Sequence, residues 1–393
     1  MQTLRYGDRG LFVQYLQGTL LRAGEEPGEI DGIFGRRTET ALTRFQDACG
    51  IHADGIADRL TWAALWPYFT GATFRIRDTG EPVPAPLGFD VVFTDVPYSA
   101  FLTACVLEGL TLRYPFLAKY TIGRSVSGRR IEAIRMGAGP LRVGINAAHH
   151  ANEWITTPLT LLFLERYAKA LSENTSVGGV PARMLYESST LTLVPLVNPD
   201  GVDLVTGALP EGDSFYESAR ALSAFYPSVP FPSGWKANLA GTDLNLGYPA
   251  GWEEARAIKF AQGFTRPGPR DYVGTRPLEA PEDRAMYDLT LGERYDRAIT
   301  YHTQGGEIYW EYRGTAPRGS RALAERFAAA SGYRVAGVPQ SSGNAGYKDW
   351  MIDRLHANAF TVEAGRGENP LPIGDLPALY AENEGIFTAV LTP

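Results

Sequence analysis

The spacing of apolar residues divides the chain into three stretches. Near the N-terminus, apolar positions recur at helical spacing, as at Val13, Leu16 and Leu20, and this pattern predicts amphipathic helices. A stretch rich in Gly, Pro and Thr follows, with GEPVPAPLG at its centre, and such composition is typical of an extended linker. Beyond it, short apolar runs alternate with helical patterns to the end. We therefore predict a small three-helix domain over residues 1–70, a linker over 71–94 and a larger domain over 95–393.

The larger domain has the pattern of an α/β fold. A hairpin is predicted in YTIGRSVSGRRIEAIRMG, where polar and apolar residues alternate around a Gly-containing turn. Helices are predicted from about Pro97 to Arg113, from near Pro158 onward, and over 280–291. Four buried strands are predicted over 141–148, 191–198, 297–302 and 358–365. This alternation indicates a mixed sheet with helices on both faces.

An internal repeat organises the first seventy residues. Asp31-Gly-Ile recurs as Asp54-Gly-Ile at an offset of 23, and the same offset relates Thr38 to Thr61. Each copy is interpreted as an Asp-Gly turn, a Thr that caps a helix, and a short helix.

Composition and charge exclude several classes of protein. The chain has 37 basic and 44 acidic side chains, a net charge of −7, which argues against a nucleic-acid-binding protein. No run of apolar residues is long enough for a membrane span. Two cysteines, Cys49 and Cys105, fall in different predicted domains, so a disulfide framework is not expected. The N-terminus, MQTLRYGDRG, lacks the apolar core of a secretory signal.

The candidate chemistry centres on HHANEWIT, residues 149–156. His150 and Glu153 follow a predicted strand, and an imidazole and a carboxylate are ligand types that zinc prefers. His302 ends a second predicted strand and Glu363 ends a third. Because ligands in open α/β sheets bind beyond the carboxyl ends of the strands, one metal could contact His150, Glu153 and His302. Glu363 would then be a nearby carboxylate able to move a proton.

Five ordered motifs, HHANEWIT, NPDG, GTDLN, YHTQG and FTVEAG, resemble those of the zinc metallocarboxypeptidase family. The resemblance implies a central eight-stranded mixed sheet, one catalytic Zn²⁺ per chain and hydrolysis of a peptide bond. It also implies His150, Glu153 and His302 as ligands and Glu363 as general base. His149 is the competing ligand candidate, but the family ligand lies three residues before the Glu.

The sequence departs from the digestive members of that family at three places. Their carboxylate-binding Arg is replaced by Leu246, which follows Asn245, so recognition of a free C-terminus in the usual way is not expected. An oxyanion-polarising Arg is replaced by Lys236. Their downstream Tyr aligns with Ser341, and Tyr347 is the nearest hydroxyl that could act instead. Arg366 is a hypothetical partner for substrate carboxylates.

These departures resemble bacterial γ-D-glutamyl-L-diamino acid endopeptidases, which cut peptidoglycan stem peptides between γ-D-glutamate and meso-diaminopimelate or lysine. The segments DLNLGYPAGWEEA, AGYKDW and VEAGRGENPLPI carry this resemblance. Independently, GDRG, VQYLQ, DGIFGRRTETALTRFQ and DGIADRLTW resemble the peptidoglycan-binding module of cell-wall hydrolases. Both resemblances imply peptidoglycan and its stem peptides as partners.

Two alternatives stay open: a carboxypeptidase that removes a free C-terminal residue from muropeptides with Arg366, and a non-catalytic wall-binding protein. The expected location is the bacterial cytoplasm, including that of a sporulating cell, or the cell wall after export by a route without a signal peptide.

Overall fold

A computed structural model describes residues 2–76, 79–339 and 342–393 of the chain. Its helices are α1 (Leu11–Arg22), α2 (Arg36–Ala48), α3 (Arg59–Thr70), α4 (Ala100–Arg113), α5 (Thr156–Ser172), α6 (Ala182–Ser188), α7 (Pro199–Thr206), α8 (Ser214–Ser223), α9 (Trp252–Ala261), α10 (Pro281–Glu293), α11 (Ser320–Ser331), α12 (Tyr347–Trp350) and α13 (Leu376–Leu391). Its strands are β1 (Ala72–Ile76), β2 (Pro82–Pro86), β3 (Ala118–Arg124), β4 (Arg130–Gly137), β5 (Leu141–Ala147), β6 (Ser176–Val177), β7 (Val180–Pro181), β8 (Ser189–Val194), β9 (Arg297–His302), β10 (Glu307–Tyr309), β11 (Arg334–Ala336) and β12 (Asn358–Glu363).

Eight strands form one mixed sheet in the order β11-β10-β12-β9-β5-β8-β4-β3. The four central strands, β12, β9, β5 and β8, are parallel neighbours, and the predicted hairpin β3–β4 closes one edge by antiparallel pairing. The predicted α/β class and eight-stranded mixed sheet are therefore confirmed. The parallel centre brings the ends of β5, β9 and β12 to one edge of the sheet.

Side chains on alternate positions of the central strands pack into two different cores. Ile299 and Phe360 belong to a core that includes Leu162 of α5 and Phe387 of α13. Ala298 and Ala359 face a second core that includes Met286 of α10 and Trp350 of α12. Alternation in a strand directs successive side chains to opposite faces, so helices cover both faces of the sheet as predicted.

The repeat of the N-terminal region is also a structural repeat. Gln17 donates to Asp31 Oδ1 and Gln46 donates to Asp54 Oδ1, at 2.9 and 3.2 Å, so a buried glutamine holds each Asp-Gly turn. The predicted threonine caps are wrong. Gly35 and Asp58 precede α2 and α3, and Thr38 and Thr61 lie within the first turns.

Part of the segment expected to be an extended linker, residues 71–94, forms a hairpin in which β1 pairs antiparallel with β2. Pro82, Pro84 and Pro86 occupy every second position of β2, where a missing N–H need not break the ladder of an exposed edge. The N-terminal helices also pack against the larger domain. Tyr15 Oη donates to the Pro97 carbonyl at 2.9 Å, and the Phe69 ring lies 6.1 Å from that of Phe101.

Candidate metal centre and active site

The ends of three parallel strands bring the predicted ligands together. His150 and Glu153 lie just beyond β5, with Glu153 in a short 3₁₀ turn, and His302 is the last residue of β9. Glu363, the last residue of β12, pairs in register with His302. Tight packing around this cluster leaves Glu153 and His302 almost fully buried.

The spacing of the donor atoms fits a small tetrahedral cation. His302 Nδ1 lies 3.2 Å from His150 Nδ1 and 2.8 Å from Glu153 Oε2, and His150 Nδ1 lies 2.9 Å from Glu153 Oε1. Zinc–ligand bonds of roughly 2.0–2.2 Å in a tetrahedral arrangement place ligand atoms about 3.3 Å apart. Two imidazoles and one carboxylate are a donor set of catalytic zinc sites. The three residues therefore fit zinc.

Asp243 orients His150. It lies in the GTDLN motif but was not among the site residues predicted from sequence. Asp243 Oδ1 lies 3.1 Å from His150 Nε2, which leaves Nδ1 directed at the cluster. Burial acts to lower the pKa of His150, but the carboxylates of Glu153 and Asp243 outweigh it and raise that pKa to about 9. Burial alone would raise the pKa of Glu153, but His150, Lys236 and His302 hold it well below its usual range.

Glu363 and Lys236 complete the charged part of the site. Burial, assisted by the charge of Glu153, raises the pKa of Glu363 to about 8, while Lys236 and His150 oppose this rise. A carboxyl group with such a pKa can accept and release a proton near neutrality, as a general base must. Lys236 Nζ donates to Glu153 Oε1 at 2.7 Å, and this partner outweighs burial and raises the pKa of the lysine. Lys236 therefore carries a positive charge beside the cluster.

A cavity of about 200 Å³ opens onto this cluster. His150, Glu363, Lys236 and Asn245 are among the residues that line it. Asn245 Oδ1 accepts from the backbone N–H of Tyr347 at 3.1 Å. Asn245 therefore also holds the segment that forms one wall of the cavity.

Two residues proposed from sequence do not reach this cavity. The hydroxyl of Tyr347 is buried in the protein interior, 2.7 Å from Thr290 Oγ1, because α12 directs the ring into the second core. The side chain of Arg366 is 62% exposed and lies 3.7 Å from Glu382, beyond the cavity lining. Among the described residues, neither side chain lines the cavity. Ser341 lies outside the described residues.

His149, the competing ligand candidate, lies behind the cluster. Its Nε2 is 3.2 Å from Tyr248 Oη in the interior. The group of possible ligand atoms within 4.8 Å of one another comprises His150, Glu153 and His302, without His149.

A mixed eight-stranded sheet that places two histidines and a glutamate around one point, with a further glutamate beside them, defines a metallopeptidase. The zinc carboxypeptidase family matches residues 104–384, and a peptidoglycan binding domain matches residues 9–65. This chain belongs to the zinc carboxypeptidase family.

Two relatives extend the match. The chain is 42% identical over 285 residues to gamma-D-glutamyl-L-diamino acid endopeptidase 1 of Lysinibacillus sphaericus, a match that covers 72% of this chain and 70% of that protein. It is 39% identical over 280 residues to the uncharacterized protein YqgT of Bacillus subtilis, covering 71% and 73%.

Solved structures support the fold. Thrombin activatable fibrinolysis inhibitor superposes with a TM-score of 0.59 at 18% identity, over 76% of this chain and 74% of that chain. Carboxypeptidase A from Helicoverpa armigera gives a TM-score of 0.56 at 18% identity, over 76% and 75%. Across the described residues, no helix combines the length and apolar character that crossing a membrane requires.

Proposed function

We propose that this protein hydrolyses the γ-D-glutamyl–diamino acid bond in peptidoglycan stem peptides, where the diamino acid is meso-diaminopimelate or lysine. The observation that carries the proposal is the convergence of His150, Glu153 and His302 beside Glu363, because this set supports cleavage of an amide. The substrate class is supported by the relative named for this bond and by the peptidoglycan binding domain that matches residues 9–65.

Each site residue has a separate part in the proposed reaction. His150, Glu153 and His302 would hold one zinc ion per chain, and that ion, when bound, would act as a Lewis acid toward the scissile carbonyl and toward water. Glu363 takes the proton of the attacking water and gives it to the nitrogen of the leaving amine as the carbon–nitrogen bond breaks. Lys236 places an ammonium where negative charge develops on the carbonyl oxygen.

The cavity favours a substrate whose chain continues beyond the diamino acid. Leu246 follows Asn245 and lines the cavity where the digestive enzymes carry an arginine, and its apolar side chain offers nothing to a terminal carboxylate. Asn245 is proposed to bind the substrate through its side-chain amide. A second candidate, removal of a free C-terminal residue, is favoured by the presence of Arg270 in the same cavity.

Mass spectrometry of a muropeptide digest tests the proposal. We expect cleavage between γ-D-glutamate and the diamino acid, in stem peptides both with and without further residues after it. In stem peptides that continue past the diamino acid, loss of only the last residue would favour the second candidate, and no cleavage of any peptide by zinc-loaded protein would contradict both. The matched control is Glu363→Gln, which should retain zinc and produce no fragments.

We further propose that the N-terminal region, residues 1–70, retains the enzyme on peptidoglycan in a bacterium. The full chain carrying Glu363→Gln should sediment with insoluble peptidoglycan without degrading it, and failure to sediment would contradict this role. Fractionation of cells that produce the protein would then distinguish action in the cytoplasm from action in the wall.

A further inference from the structure

Arg270 lines the active-site cavity, was not singled out by any sequence motif, and has no part in the main reaction proposed above. We propose that Arg270 is a specificity-determining residue that binds a carboxylate of the stem peptide next to the scissile bond. This inference rests on the proposed function and adds the recognition of a charged group to it.

Backbone hydrogen bonds fix Arg270 beside the catalytic cluster. The Pro269 carbonyl accepts from the N–H of Lys236 at 2.7 Å, and the N–H of Asp271 donates to Asp243 Oδ2 at 3.0 Å. Arg270 therefore lies between two residues that are each bonded to a member of the site. Its neighbour Asp271 has a φ of 63°, a left-handed conformation that costs energy in a non-glycine residue and that often occurs at functional sites.

The side chain of Arg270 is held at one nitrogen only. Asp271 Oδ2 accepts from Arg270 Nε at 2.6 Å, while Asp271 Oδ1 accepts from Lys259 Nζ at 2.5 Å. Among the described residues, the two terminal nitrogens of Arg270 have no hydrogen-bond acceptor. An anchored guanidinium with both terminal nitrogens available matches the two oxygens of a carboxylate.

The other cations of the cavity are less accessible to a substrate. Lys259 and Lys348 have side chains only 8% and 5% exposed, and Lys348 Nζ donates both to Asp349 and to the Glu311 carbonyl. Lys236 is 18% exposed and donates to Glu153. Arg270 is 41% exposed. It is therefore the cation of this cavity that a substrate anion meets first.

The proposed substrate offers carboxylates on both sides of the bond that breaks. The γ-D-glutamyl residue keeps its free α-carboxylate a few bonds from the scissile carbonyl. On the other side of the bond, meso-diaminopimelate carries a side-chain carboxylate, whereas lysine has a free carboxylate only where the peptide ends at that residue. An arginine would bind either carboxylate through the same charge-assisted hydrogen bonds. Leu246, which replaces the carboxylate-binding arginine of the digestive enzymes, cannot bind a carboxylate. Arg270 lines the same cavity and can do so.

Three synthetic stem peptides that contain meso-diaminopimelate test the proposal: one unmodified, one with the γ-D-glutamyl α-carboxylate amidated, and one with the free carboxylate of the meso-diaminopimelate amidated. For the unmodified peptide, Arg270→Ala should lower kcat/KM about 10- to 100-fold, mainly through KM, because a charge-assisted pair is lost. Arg270→Lys should recover only part of this loss. For the peptide that lacks the recognised carboxylate, Arg270→Ala should change kcat/KM less than about threefold. That peptide identifies which carboxylate Arg270 binds.

Arg354→Ala is the matched control. Arg354 Nε pairs with the adjacent Asp353 at 2.9 Å in the same manner, but outside the cavity, so kcat/KM should not change. Zinc content and the thermal midpoint of each variant show whether the site stays assembled. An equal loss on all three peptides, or no loss on any, overturns the role of Arg270. If the wild-type protein cleaves none of them, the proposed function fails first and this inference falls with it.

Discussion

Replacing Asp243 by asparagine tests whether this side chain orients the ligand His150, and the replacement leaves every residue that would bind zinc unchanged. Asp243 does not contact the metal position, but it accepts from His150 Nε2 at 3.1 Å, from Asn245 N–H at 3.1 Å and from Asp271 N–H at 3.0 Å. Asparagine has the same shape and no charge. Its NH₂ group must replace one of two accepting oxygens, so one of these donors would face another donor.

The expected loss follows from the lost charge and the misplaced donor. A hydrogen bond to a charged group contributes about 1.5–3 kcal/mol, against about 0.5–1.5 kcal/mol for a neutral one. The weaker hydrogen bond would therefore stabilise less the tautomer of His150 whose Nδ1 is free to bind the metal. Partners that orient a metal ligand typically account for about 10- to 100-fold in metal affinity, which equals roughly 1.4–2.8 kcal/mol. We expect Asp243→Asn to weaken zinc binding by that factor and to lower kcat/KM at saturating zinc by less.

Zinc affinity is measured by competition with a chromophoric chelator, with the thermal midpoint of the metal-free protein recorded in parallel. Asp353→Asn, at a carboxylate paired with Arg354 on the surface, is the control and should bind zinc as the wild type does. A zinc affinity for Asp243→Asn within about twofold of the wild-type value would refute the orienting role. A lowered affinity together with a collapsed thermal midpoint would instead assign Asp243 to folding.

Three further predictions address the base, the ligands and the core. Glu363→Gln should keep zinc affinity within about threefold and lower kcat by about 10²- to 10⁴-fold; a near-normal kcat would remove Glu363 as the base. The pKa of His150 in the metal-free protein is raised to about 9, so zinc must displace a proton from His150, and the affinity for zinc should fall about tenfold per pH unit below pH 9. Calorimetry in buffers of different ionisation enthalpy measures the released proton. An affinity for zinc that does not depend on pH would contradict the raised pKa of His150. Burial raises the pKa of Asp283 well above its usual value, and neither carboxylate oxygen has a hydrogen-bond partner among the described residues. Because the folded state retains this proton above the pKa of the unfolded chain, the contribution of Asp283 to stability falls as pH rises from about 4. Asp283→Asn should remove this contribution, so the difference in stability between variant and wild type in urea unfolding should change between pH 5 and 8. Parallel pH profiles would contradict the role of Asp283.

The sequence by itself determined the elements that carry the metal ligands. β9 spans Arg297–His302, the predicted strand, and β12 begins at the predicted Asn358, because each is a short apolar run that ends in a single polar residue. A strand of this kind is buried along its length, and its last, polar side chain lies at the edge of the sheet. His302 and Glu363 were therefore identifiable from local pattern, and the convergence of parallel strand ends supplied their meeting point.

Only the tertiary structure decided which other polar groups surround that point. Tyr347 and Arg366 were both expected at the site, but α12 directs the tyrosine into the core and the chain beyond Glu363 carries the arginine to the surface. Arg270 and Asp243 are distant from the ligands in sequence, and long-range backbone and side-chain hydrogen bonds bring them to the site. Local periodicity reports burial within one element, whereas the direction of a loop side chain depends on the partners that fold against it.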